Sequence, residues 1–209
     1  MLDITFVIFY VIVLIISVVL HEVAHGAAAA AEGDPTAKYA GRLTLNPFKH
    51  LDLFGSVIIP FILALTAGIG FGYAKPVPIN PYNFRDKKFG MIKVAIAGVA
   101  ANFALALFFG LLIRFWPDVS NPVSAMFLVM MGLIVRVNLW LMLFNLMPIP
   151  PLDGSHILFA LLPPSQEEFK IFLQRYGLFF FLIFVFYFSG IISPIVDFLG
   201  WLITGQTLD

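Results

Sequence analysis

Of the 209 residues, 61% are hydrophobic and 11% charged, with a mean hydropathy of +0.98; a soluble domain carries about a quarter charged residues, so a soluble globule is excluded and a membrane protein is indicated. Twelve basic residues balance twelve acidic ones, leaving no basic surplus to track a nucleic-acid backbone, and nucleic acid is not an expected partner. With no cysteine, disulfides, thiolate metal sites and cysteine nucleophiles are excluded, and any metal must be held by His, Asp or Glu.

The N-terminus lacks the basic n-region of a secretory leader, and its apolar run is too long for a leader core, so residues 1–31 are read as part of the mature chain. Ile4–Ala31 supplies the roughly 20 apolar residues that a spanning helix needs. Within it the stretch VVLHEVAHGAA, residues 18–28, carries three ionisable groups. His21 and His25 are four apart, so on a helix they lie one turn above each other on one face, with Glu22 beside it. His-Glu-x-x-His offers zinc two neutral imidazoles and leaves a carboxylate as general base for a bound water. An ionisable group at the bilayer centre costs about 2.5–3.5 kcal/mol on insertion scales, and a bound cation supplies the compensation. The alternative is a helix that has already left the hydrocarbon by residue 21; the run of alanines at 27–31 speaks against it.

Next in the chain, GRLTL at residues 41–45 alternates polar and apolar side chains. That suits either a short edge strand that accepts an unwound peptide by strand addition or an ordinary surface loop. Residues 54–72 are long enough to span, but Pro60 with Gly68, Gly70 and Gly72 breaks a regular helix, and the segment is read as re-entrant. Charge supports that reading, because cytoplasmic loops are enriched in Lys and Arg. The groups Lys38, Arg42, Lys49, then Lys75, Arg85, Lys87, Lys88, Lys93, then Lys170 and Arg175 share one face only if 54–72 dips in and returns. The N-terminus is then outside. An ordinary span with weak charge bias is the alternative.

Residues 94–113 and 123–147 are two further spans. Arg136 lies inside the second of them, with Asp197 as its candidate partner. Residues 176–203 are interrupted by SGIISP at 189–194 and form either one kinked span or a hairpin of two short helices. No repeat is visible and the links are short, so residues 1–209 read as a single integral membrane domain with a core over about 4–160 and a C-terminal membrane segment over about 176–203.

Two histidines are too few for a catalytic zinc, which takes three protein ligands and one open position. NLMPIPPLDGSHIL, residues 145–158, stops the preceding span with three prolines and sets Asp153 in apolar surroundings. The charge-derived topology brings Asp153 to the depth of His21 and His25. Asp153 as N-cap of a helix starting near Ser155 fits the local sequence equally well. His50 and His156 are spare histidines.

His21-Glu22-x-x-His25 together with Asn145-x-x-Pro148-x-Pro150-x-Leu152-Asp153-Gly154 resembles the site-2 protease family of intramembrane zinc metalloproteases. GVAAN, Gly98 to Asn102, resembles the family's Gly-x-x-x-Asn element, with Val99 where a proline is usual. GDPTAKYAGRLTLNPFKHLDLFGS at 33–56 and YAKPVPINP at 73–81 are similar to the compact subgroup that lacks a PDZ domain. The resemblance implies an all-α polytopic fold with a core of three spanning helices, a re-entrant segment, a small β element and C-terminal helices. It implies one zinc ion per chain on His21, His25 and Asp153, with Glu22 as general base and then proton donor to the leaving amine. Asn145 and Asn102 are implied as donors to the substrate backbone or oxyanion. The implied activity is intramembrane endopeptidase cleavage in or near transmembrane segments of membrane proteins, towards the cytoplasmic side. The implied setting is the lipid bilayer of a prokaryotic cytoplasmic membrane. A cation transporter is a rival reading, but it needs ligands through both halves of the bilayer and the outer halves offer almost none. A catalytically silent homologue is another, and the intact Glu22, His21, His25 and Asp153 speak against it.

Overall fold

The computed structural model describes residues 4–52, 75–116 and 122–207; the segment read as re-entrant, 54–72, lies outside the described residues. Among the described residues the regular structure is helical throughout: α1 Ile4–Ala31, α2 Thr36–Tyr39, α3 Gly90–Arg114, α4 Pro122–Asn145, α5 Asp153–Leu161, α6 Glu167–Ile183 and α7 Ser189–Thr204. A π-helical turn, Phe184–Phe188, joins the last two. Helices are what hydrocarbon demands, because no water is there to satisfy an unpaired backbone N–H or C=O. Four are long and apolar enough to cross a membrane: Ile4–Ala31, Gly90–Arg114, Val123–Asn145 and Pro164–Tyr187. The fourth begins well before residue 176.

α3 is the central rod. It packs along α1 on one side and α4 on the other, and also meets α5 and α7. Its buried positions include Gly90, Ala95, Gly98, Ala106 and Gly110; small residues let helix backbones approach where lipid, not water, is the competing solvent. The core then forms from Val99, Ala106 and Ile113 of α3, Met131, Val135 and Leu139 of α4, and Ile192, Val196 and Ile203 of α7.

The C-terminal contacts decide between the two readings of 176–203. Gly177 lies against Pro150, Phe181 and Phe184 stack on Phe144, Asp197 pairs with Arg136 at 3.1 Å, and Ile203 packs on Gly110. These partners advance in one direction, from the C-terminal end of α4 to the C-terminal end of α3. A hairpin would return Ile203 towards Pro150, so the segment is one traverse. The interruption expected at 189–194 stays within helix, with a π turn just before it and Pro194 inside α7. At the far end the Arg114 guanidinium donates to the Leu202 carbonyl at 2.9 Å, a cation on carbonyls that the end of α7 leaves open.

The small β element expected at 41–45 is absent, and the segment is a turn followed by irregular loop. A strand needs a partner ladder, and among the described residues there is none. Its alternation is not matched by burial: Arg42 is buried while Leu45 is exposed. The Arg42 side chain explains the difference, since its Nη2 donates to the Lys75 carbonyl at 2.6 Å and draws the loop under residues 75–80.

Candidate metal centre

α1 places the His21 and His25 rings one turn apart, edge to face at a centroid distance of 4.5 Å, and both are buried. Each ring is fixed from behind. His21 Nδ1 donates to Asn102 Oδ1 at 2.6 Å, and His25 Nδ1 donates to the Val94 carbonyl at 2.7 Å. A carbonyl oxygen only accepts, so in both neutral rings the proton sits on Nδ1 and Nε2 is a bare lone pair. The two Nε2 atoms are 2.9 Å apart. In neutral rings of that tautomer the two nitrogens are both acceptors, aimed at one point.

The third acceptor comes from α5. α4 ends at Asn145 because Pro148, Pro150 and Pro151 follow, and the chain doubles back so tightly that a Cβ on Gly154 would collide with the Leu146 and Met147 carbonyls. Only glycine allows that approach. Asp153 therefore opens α5 at the depth of the imidazoles, and it does not cap the helix: Leu152 is the N-cap residue and no side chain caps it. Asp153 Oδ2 lies 3.0 Å from His21 Nε2 and 3.2 Å from His25 Nε2, and it is buried without a hydrogen bond. With both rings neutral, these three acceptor atoms repel unless a cation joins them. Zinc bonds to His nitrogen and carboxylate oxygen are about 2.0–2.2 Å, which sets neighbouring tetrahedral ligands about 3.3 Å apart. The observed triangle, with sides of 2.9, 3.0 and 3.2 Å, meets that requirement with a few tenths of an ångström of expansion. The residues fit one such ion.

Gly98 of α3 makes room for the rings. A Cβ there would stand 2.5 Å from Cε1 and Nε2 of His25 and 2.7 Å from Cε1 of His21. Asn102 follows four residues on, on the same face, so GVAAN supplies both the gap and the partner of His21. Asn102 is fully buried; its Nδ2 donates to Asn138 Oδ1 at 2.9 Å and approaches the Ser17 carbonyl at 3.4 Å.

Glu22 lies beside the centre, with a carboxylate oxygen and the imidazole nitrogens all within 4.8 Å of one another. Its Oε2 accepts from the Val77 backbone N–H at 2.8 Å. Val77 stands between Pro76 and Pro78, so it offers the single backbone N–H of that triplet. The extended segment is clamped on both sides. The Lys75 N–H donates to the His50 carbonyl at 2.9 Å, and the Asn80 N–H donates to Asp34 Oδ2 at 2.7 Å. Asp34 is fully buried and also accepts from the Thr36 N–H, the Thr36 hydroxyl and Asn83 Nδ2. Burial alone raises its pKa, but these donors outweigh burial and hold the carboxyl below its ordinary range.

The structure thus gathers His21, His25, Asp153, Glu22 and Asn102. Asn145 is at the end of α4, and its Nδ2 donates to the Leu141 carbonyl at 3.0 Å. Ser17, Asn138 and the Val77 N–H were missed from sequence. Ser17 was legible in principle, being four residues before His21 and so on the ligand face. Asn138 carried the signal that any amide carries in a spanning helix. A backbone N–H carries none.

Comparison with known proteins gives a consistent result. The family described as Peptidase family M50 matches residues 117–184, the part of the chain that holds Asp153. "Putative zinc metalloprotease YwhC" of Bacillus subtilis is 39% identical over 179 residues, covering 84% of this chain and 78% of that protein. "Putative zinc metalloprotease Rip2" of Mycolicibacterium smegmatis is 33% identical over 156 residues, 74% of this chain and 57% of that protein. The Rip2 of Mycobacterium tuberculosis is 27% identical over 169 residues, 81% of this chain and 63% of its own length. The chain therefore spans less than two thirds of the Rip2 proteins. No solved structure matches.

Proposed function

The chain belongs to peptidase family M50, the site-2 protease family, and on that premise we propose that it is an intramembrane zinc endopeptidase that hydrolyses peptide bonds in or near transmembrane segments of other proteins. The observation that carries the reading is the convergence of His21 Nε2, His25 Nε2 and Asp153 Oδ2 within 3.2 Å of one another. These three atoms hold the metal. Zinc, when bound, supplies the Lewis acidity that makes water nucleophilic near neutral pH and polarises a scissile carbonyl.

The chain's own residues do the rest. Glu22 takes a proton from the attacking water as the water oxygen bonds to the carbonyl carbon, and it returns that proton to the amine nitrogen as the C–N bond breaks. Asn102 holds the His21 ring through Nδ1 and stands behind it, so we assign it to ring orientation and not to the oxyanion. Asn145 donates one amide hydrogen to Leu141 and keeps the other for the substrate backbone or the developing oxyanion. A helical substrate must unwind locally before its carbonyl is reachable, because its backbone is hydrogen-bonded to itself. The clustering of Lys and Arg between α1 and α3, with Lys170 and Arg175 in the first half of α6, supports a centre towards the cytoplasmic side. Residues 1–209 act as one integral membrane metalloprotease domain.

Glu22→Gln tests this reading. The variant is expected to keep zinc and lose cleavage, so membrane-protein fragments present with the wild type vanish with E22Q in quantitative proteomics of membrane peptides. Cleavage equal to wild type removes Glu22 as the base.

A further inference from the structure

Behind the His21 ring lies a chain of buried polar side chains that extends beyond Asn102. Ser17, Asn102 and Asn138 come from α1, α3 and α4, and all three are buried. Asn138 Nδ2 donates to the Ile134 carbonyl and to Ser17 Oγ, each at 2.9 Å, while Asn138 Oδ1 accepts from Asn102 Nδ2 at 2.9 Å. Asn102 Oδ1 then accepts from His21 Nδ1 at 2.6 Å.

The direction of these bonds is forced. The Ile134 carbonyl can only accept, so the amide nitrogen of Asn138 must face it and its oxygen must face Asn102. That oxygen can also only accept, so the amide nitrogen of Asn102 faces Asn138 and its oxygen faces His21. A reversed Asn102 would oppose its oxygen to Asn138 Oδ1 and turn an N–H towards His21 Nδ1. The ring would then take the other tautomer, with its proton on Nε2, where a metal needs a lone pair.

Resting on the zinc reading above, we propose that Asn138 is a positioning residue of the metal centre: through Asn102 it imposes the His21 tautomer that leaves Nε2 free for the ion. A structural role as helix-to-helix glue predicts lost stability only. The positioning role predicts lost metal affinity as well, because removing the partner that orients a metal-binding histidine typically costs about 10–100-fold in affinity.

The test compares two isosteric variants of the full chain purified in detergent. Asn138→Thr retains a hydroxyl that can donate to the Ile134 carbonyl and accept from Asn102; Asn138→Val has the same shape and neither function. Zinc affinity is measured by competition with a chelator, and apo-protein melting is recorded alongside. We expect N138V to bind zinc at least about tenfold more weakly than wild type and N138T to recover most of that loss. Wild-type affinity in N138V, or equal losses in N138V and N138T, overturns the proposal. If N138V does not fold, Asn138→Ala replaces it, and a folded N138A that binds zinc as tightly as wild type overturns the proposal equally. Failure of the underlying reading looks different: His21→Ala then binds zinc as well as wild type does.

Discussion

Among single residues, Gly98 is the most exposed to test because the two histidine rings occupy the space its Cβ would take. Overpacking of a close contact typically costs about 1–3 kcal/mol, and here the strain falls on the ligands themselves. Gly98→Ala is expected to lower zinc affinity by at least about tenfold. Gly110→Ala, whose Cβ would meet the Ile203 side chain at the far end of α3, is expected to cost stability and leave zinc binding unchanged. Zinc affinity in G98A equal to that of wild type contradicts the packing of the rings against α3. His21, His25 and Asp153 were legible in the sequence because ionisable groups in an apolar run demand a partner. Asn138 was not, because an amide in a spanning helix signals only that some hydrogen bond exists and not which ring it ends on.

At the scale of elements, the extended segment through Val77 is the piece that fixes Glu22. Val77→Pro deletes one N–H within a run already bounded by prolines, whereas Val77→Ala keeps the N–H and removes the packing on Gly26. Peptidase turnover in V77P is expected to fall at least about tenfold below V77A, the cost of a lost charge-assisted hydrogen bond of about 1.5–3 kcal/mol, with zinc content equal in both. Turnover equal in the two variants removes the N–H as a determinant of Glu22. The same segment hangs on Asp34, and its stability is pH-linked. The folded-state pKa is lowered, so the contribution is full above the unfolded value of about 3.9 and is lost as pH falls through the lower folded value. Melting temperature below about pH 4 is therefore expected to fall more steeply in wild type than in Asp34→Asn; parallel acid limbs contradict this. Alternation at 41–45 misled because period-two patterning describes a strand only when a ladder exists, and a buried Arg42 hydrogen-bonded to the Lys75 carbonyl serves the loop instead.

At the scale of the whole molecule, the apolar rods among the described residues meet through small residues and a few buried polar ties. The spans were readable from length and hydropathy, which is all that hydrocarbon requires of them. The course of the C-terminal segment was not, since a π turn and an internal proline suit a kink and a hairpin equally until its neighbours are known. Arg136 and Asp197 test that course. Either single replacement by Ala is expected to destabilise the protein more than the double replacement does, because each alone leaves a charge without its partner; additive losses contradict the pairing. The central claim is that α1 and α5 jointly close on one ion, and metal content measures it most directly. Purified wild type is expected to carry one zinc per chain and Asp153→Ala less than about a tenth of that. An Asp153→Ala protein that folds and retains the full complement of zinc contradicts the account.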